Sequence, residues 1–207
     1  MTTGLDTLQR LEITASSADD LVVELTAHAA TLRDVTLTLK GRAKHLDLTA
    51  VPWQALCQLQ TLTLRRFKVA ADVLTLPTLQ TLHLRECKLR GGDVVRLGRS
   101  LVQVELVDCN PDATELQIVS DALQAFVLSQ DEDAAECQFA VIELAAPRLT
   151  TLHVRSALAT RLVCTGALPN LADVQLVAGQ YGKLEVDVAG VQPPSPVLGA
   201  AAAALLP

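Results

Sequence analysis

The chain has 207 residues, half of them apolar and 2% aromatic, with a formal charge of −6. That length holds one domain or two small ones with room for a sizeable core, and the modest negative charge argues against bulk binding to nucleic acid. The opening MTTGLDTLQR lacks a basic segment followed by an apolar one, and no uninterrupted apolar run reaches membrane-spanning length, so secretory and transmembrane classes are not indicated.

In chain order, one hexapeptide recurs: Leu-x-x-apolar-x-apolar. It stands as LQRLEI at 8, LRDVTL at 32, LQTLTL at 59, LQTLHL at 79, LVQVEL at 101, LQAFVL at 123, LTTLHV at 149 and LADVQL at 171. The steps between them are 24, 27, 20, 22, 22, 26 and 22 residues. A single copy means little in a Leu-rich chain, but eight at such even spacing mark stacked repeats. In a strand the fourth and sixth residues of each unit share a face. Leu62, Leu64, Leu82 and Leu84 are therefore expected inside, with Thr63 and His83 outside. Strands stacked side by side form a parallel sheet, and each layer buries apolar surface that it cannot bury alone. Trp53, Tyr181, Phe67, Phe126 and Phe139 are the only aromatic residues, so the layers must be filled mainly by Leu, Val and Ala.

The segments between the hexapeptides must cross back to the next strand. SSADDLVVELTAHAATL has Ser17 or Asp19 as a cap before Leu21, Val22 and Leu25, and suits a helix. VPWQALCQL places Pro52 where a helix can begin, and VAADVLTLPT leaves room for little more than a turn. GGDVVRLGRSL, from Gly91, and NPDATELQIVSDAL are both read as short helices. DEDAAE at 131–136 holds four carboxylates without calcium-loop spacing and reads as a solvated acidic loop. PPSPVLGAAAAALLP breaks the period and reads as a tail.

The units LQTLHLRECKL and LVQVELVDCNP resemble the leucine-rich-repeat pattern, in which an Asn or Cys follows the last core position by three residues. Cys87 and Cys109 stand there, where the pattern implies burial at the turn out of the strand. The other units carry Ser16, Lys40, Phe67, Asp131, Ala157 and Gly179, so the repeats are degenerate. The units at Pro147 and Pro169, within AAPRLTTLHVRSALATRLVCTGALPNLADVQL, are similar to the repeat region of plant-type F-box leucine-rich-repeat proteins. This likeness does not extend to an F-box. It implies an α/β leucine-rich-repeat solenoid with a parallel sheet on the concave side and short helices or loops on the convex side. About eight degenerate repeats would occupy 1–192, and a disordered Pro/Ala-rich tail 193–207. The resemblance further implies a substrate-receptor type of repeat domain from a ubiquitin ligase.

No nucleotide-binding, zinc-protease or serine-hydrolase motif is present. Cysteines 57, 87, 109, 137 and 164 form no CxxC pair and are expected as reduced, buried thiols. The chain is accordingly read as a non-enzyme with no cofactor and no metal. Residues 59–100 carry eight bases against three acids inside an acidic protein. On the outward face of the stacked strands, Arg65 and Arg85 become neighbours, with His83 between the core positions of its strand. Like charges side by side on a sheet are unfavourable when unpaired. They become useful where an anionic group spans both, because the guanidinium fork holds carboxylate or phosphate in two hydrogen bonds. Arg65, His83, Arg85 and Glu105 form the candidate partner-binding set, with His153 and Arg155 extending it. The competing reading is an internal salt-bridge ladder through Glu86, Glu105 and Asp108.

The expectation is a protein-recognition module or scaffold that binds a protein partner, with an acidic or anionic group, on the concave face. The basic middle lacks aromatic partners for base stacking, so nucleic acid is not expected, nor is a membrane. A cytoplasmic or nuclear location is expected. The alternative is a regulatory subunit or activator of an enzyme such as a GTPase or nuclease.

Overall fold

The structure is a computed structural model and describes residues 8–40, 45–130, 138–156, 158, 160–179 and 183–189. Each of the eight hexapeptides forms a strand: β1 (Arg10–Ala15), β2 (Asp34–Leu39), β4 (Thr61–Arg65), β6 (Thr81–Arg85), β9 (Gln103–Val107), β12 (Ala125–Ser129), β14 (Thr151–Ser156) and β16 (Asp173–Ala178). They pair in that order, all parallel, in one eight-stranded sheet. The register has no slip. Leu11, Val35, Leu62, Leu82, Val104, Phe126, Leu152 and Val174 form one inward column, and Ile13, Leu37, Leu64, Leu84, Leu106, Leu128, Val154 and Leu176 the next.

The leading leucine of the six inner units closes its layer where the chain enters the strand, while Leu8 is exposed and Leu171 half-buried. Leu32, Leu59, Leu79, Leu101, Leu123 and Leu149 are all fully buried, and burying each such side chain contributes about 1.5–3 kcal/mol. Phe67, Phe126 and Phe139 are buried too, as is Trp53, whose Nε1–H donates to the Leu48 carbonyl at 3.1 Å. The aromatic rings among the described residues are thus all spent inside the stack.

After each of the first strands the chain returns by a different device. Helix α1 (Ala18–Ala27) follows β1 and buries Leu21 and Leu25, four residues apart on one face. A single 3₁₀ turn, Trp53–Ala55, follows the short strand β3 (Leu46–Asp47), and the four-residue helix α2 (Ala71–Leu74) follows β5 (Phe67–Ala70). With β7 (Lys88–Arg90) and β10 (Asn110–Pro111), β3 and β5 make a four-stranded parallel sheet along the corner just past the long sheet. From here on the return path is itself β-structure. Strands β8 (Val94–Leu97), β11 (Glu115–Val119), β13 (Val141–Ala145), β15 (Thr160–Thr165) and β17 (Leu184–Ala189) form a five-stranded parallel sheet. The fold is a parallel-sheet β-solenoid of about seven turns with few helices.

Two expectations need correction. GGDVVRLGRSL and NPDATELQIVSDAL are not helices: they contain β8 and β10–β11. In both the burial alternates with period two. Val95 and Leu97 point in while Arg96 is exposed, and Leu116 and Ile118 point in while Val119 is exposed. Val94 and Val95 are β-branched and favour strand, and each segment finds a parallel neighbour whose backbone groups satisfy its own. The return side is thus helix near the N-terminus and sheet beyond it, where short helices or loops were expected. The acidic loop 131–136, Tyr181, Cys137 and the tail 193–207 lie outside the described residues.

Candidate functional site

The outward columns of the eight-stranded sheet run as the alternation dictates. One reads Glu12, Thr36, Thr63, His83, Glu105, Val127, His153, Gln175. Its neighbour reads Thr14, Thr38, Arg65, Arg85, Val107, Ser129, Arg155, Val177. Arg65 and Arg85 are direct cross-strand partners, as are Thr63 and His83, and His83 and Glu105. Around them lies an open depression of about 410 Å³, lined by Thr38, Thr63, Arg65, His83, Arg85 and Glu105 over a floor that includes Leu64 and Leu84.

The Arg pair is organised by one carboxylate that follows the strand. Glu86 Oε1 accepts from Arg65 Nη2 at 2.9 Å and Nε at 3.2 Å, and lies 3.7 Å from Arg85 Nε. Its other oxygen is 3.5 Å from Arg66 Nε. Glu86 is held by its backbone. Its N–H donates to the Val107 carbonyl at 2.8 Å, and its own carbonyl accepts from His45 Nε2–H at 2.9 Å. It sits at φ 51°, in the left-handed region, as do Arg66 at 71° and Asp108 at 50°. These three residues immediately follow β4, β6 and β9, so the left-handed corner repeats from coil to coil. Three guanidiniums thus lie within 4 Å of one carboxylate, and Arg85 keeps 60% of its side chain exposed.

Beside this cluster His83 Nδ1–H donates to Glu105 Oε2 at 2.8 Å. That pair spans β6 and β9 and closes one wall of the depression. His153 makes the analogous bond, Nε2–H to Asp173 Oδ2 at 2.7 Å. The structure therefore brings Arg65, His83, Arg85 and Glu105 together. It places His153 and Arg155 on β14, three strands along from β6 and about 14 Å away at strand spacing. Val107, Val127 and Ser129 stand in the columns between.

The salt-bridge ladder expected through Glu86 and Glu105 has its pairs in Arg65–Glu86 and His83–Glu105, whereas Arg66 and Thr38 were not in the candidate set. The usable signal was the polar residue directly after each strand in LRR, LRE and LVD. Around the corner, Lys68 and Lys88 are cross-strand partners on β5 and β7. Lys88 pairs with Asp112 at 3.0 Å, and Arg90 with Asp47 at 3.0 Å. The Asp47 carboxyl is held below its usual range, first by the Thr49 backbone N–H and further by Arg90 and Lys68. Among the described residues no three His, Cys, Asp or Glu side chains gather to hold a metal ion, and no helix is long and apolar enough to cross a membrane.

No family model matches the chain, and comparison with curated proteins and with solved structures finds no similar protein.

Proposed function

We propose that this chain is a non-enzymatic recognition module of the leucine-rich-repeat type, and that its outward sheet face at Arg65, His83, Arg85 and Glu105 binds an anionic group of a protein partner. The observation that carries this reading is the cluster of Arg65, Arg66 and Arg85 on the single carboxylate of Glu86. Arg65 and Arg85 keep 46% and 60% of their side chains exposed beside an open depression, where an anionic group can reach them. The strand positions are fixed by the Leu layers beneath, so ordering them on binding costs little conformational entropy. Glu86 occupies the place of the partner's carboxylate or phosphate and sets the guanidinium geometry in advance. The likeness of the repeats to plant-type F-box leucine-rich-repeat proteins favours a partner delivered as a substrate to a larger assembly.

The test is calorimetric titration with a synthetic acidic peptide, such as an oligoglutamate, at low salt. Arg65→Glu/Arg85→Glu is expected to weaken binding at least about tenfold, with unchanged melting. Glu86→Gln is expected to strengthen it by on the order of 1 kcal/mol, since an internal competitor is neutralised. Equal binding by the double variant and the wild type contradicts the proposal.

A further inference from the structure

Beneath the half-buried corner residues lies a second column, and in the two central coils it is made of cysteine. Cys87 follows Glu86 and Cys109 follows Asp108, and both are buried, at 0% and 2% exposure. The register of the corner sheet stacks them on successive coils. Lys88 aligns with Asn110, and the Asn110 N–H donates to the Cys87 carbonyl at 2.8 Å. Neighbouring strands lie about 4.8 Å apart, which meets the Cα separation of about 4.4–6.8 Å that a disulfide spans and leaves a few tenths of an ångström to close before the Cβ atoms come within about 4.5 Å. The side chains turn the same way. Cys87 Sγ lies 3.4 Å from the Leu64 carbonyl, and Cys109 Sγ lies 3.5 Å from the Leu84 carbonyl, each belonging to the preceding coil. The two thiols are also close enough to influence each other's ionisation.

That proximity makes the pair unequal. Cys109 is held well above the usual thiol range by its neighbour Cys87 and by burial. Burial pushes Cys87 up as well, but Cys109 and the backbone at Phe67 and Arg66 outweigh this and hold it below the usual value. Cys87 is therefore the member that ionises first. Among the described residues the other thiols have no such neighbour: Cys57 is exposed, contrary to the burial expected of it, and Cys164 stands between Leu144 and Val188 in its sheet. Burial, with the nearby Asp187 charge, pushes Cys164 up to about 11.

We propose that Cys87 and Cys109 form a dithiol site that a peroxide oxidises to a disulfide joining two successive coils. The Cys87 thiolate attacks one peroxide oxygen, the O–O bond breaks, and hydroxide leaves to give Cys87 sulfenic acid. The Cys109 sulfur then attacks the Cys87 sulfur, the S–O bond breaks, and a second hydroxide departs. With the two thiol protons, these hydroxides make two waters, so two thiols and one hydrogen peroxide become one disulfide and two waters. Burial bars bulky reagents, so the small oxidant enters during local opening of the corner. The bond closes a loop of one full coil.

The test treats the purified full chain with hydrogen peroxide and reads intact mass, non-reduced peptide maps and thermal melting. The expected product has lost two hydrogens, carries a Cys87–Cys109 linked peptide, and melts higher by about 5–10 °C until dithiothreitol reverses the change. Cys87→Ser and Cys109→Ser, each compared with its own untreated form to allow for any loss of stability, should show neither the link nor the rise. Sulfenic or sulfinic acid on Cys87 with Cys109 still a free thiol overturns the proposal. So does oxidation confined to Cys57, or a linked form that melts lower than the reduced chain.

Discussion

Arg66, Glu86 and Asp108 adopt a conformation that glycine takes at no steric cost, with φ between 50° and 71°. The left-handed region costs an ordinary residue roughly 1–2 kcal/mol, and here that cost is met three times running. Glycine would relieve the strain but would carry no side chain to the corner. Arg66 and Glu86 meet in the guanidinium cluster, which is what the strained corners provide. By contrast, Thr63 and His83 face outward from strands that the leucines hold. Thr63→Ala and His83→Ala are expected to cost less than about 1 kcal/mol each in urea unfolding, the second mainly through loss of the half-exposed Glu105 pair. Losses of several kcal/mol at both would mean that the faces are reversed. The adjacency of Arg65 and Arg85 was legible in the repeated LQTL strands because period two and register determine it. Glu86 was legible as a salt-bridge rung, but its reach to Arg66 as well was not, since that depends on a left-handed turn that apolar periodicity does not encode.

At the scale of the element, the eight core strands follow from alternation and a leading leucine. Leu82 and Leu84 are 0% and 1% exposed between neighbours of their own kind. Leu82→Asp or Leu84→Asp puts an unpaired charge into a packed layer, at several kcal/mol, and is expected to abolish cooperative melting followed by circular dichroism. A normal melt in either variant would sink the register. The return segments were harder to read. GGDVVRLGRSL is short enough for its apolar residues to fit either period, and only pairing with β11 decides it as strand. SSADDLVVELTAHAATL was legible because its cap and the four-residue step from Leu21 to Leu25 leave one solution. Local pattern therefore fixes an element where it is long or capped, and tertiary pairing fixes it where it is not.

Across the whole molecule each coil contacts mainly its neighbours, so the outward face is a rigid row read one strand at a time. The terminal coil shows what stacking supplies. Val186 aligns with the fully buried Leu162 yet is 46% exposed, since among the described residues no coil covers its other side. The two broad sheets carry different chemistry. The five-stranded sheet links its polar side chains across strands, with Arg96 donating to Gln117 at 3.0 Å, Gln117 to Glu143 at 2.9 Å and Arg161 to Asp187 at 2.8 Å. The eight-stranded sheet sets Arg65 and Arg85 side by side in the lining of the depression. If recognition belongs to that face, charge reversal there and charge reversal on the five-stranded sheet must differ in effect. The most direct measurement is affinity capture from native lysate, read by mass spectrometry, with three baits of matched melting: wild type, Arg65→Glu/Arg85→Glu and Arg96→Glu/Arg161→Glu. A partner held by wild type and by the Arg96/Arg161 variant, but lost from the Arg65/Arg85 variant, is the predicted result. The same partners on all three baits, or their loss from both variants alike, would contradict it.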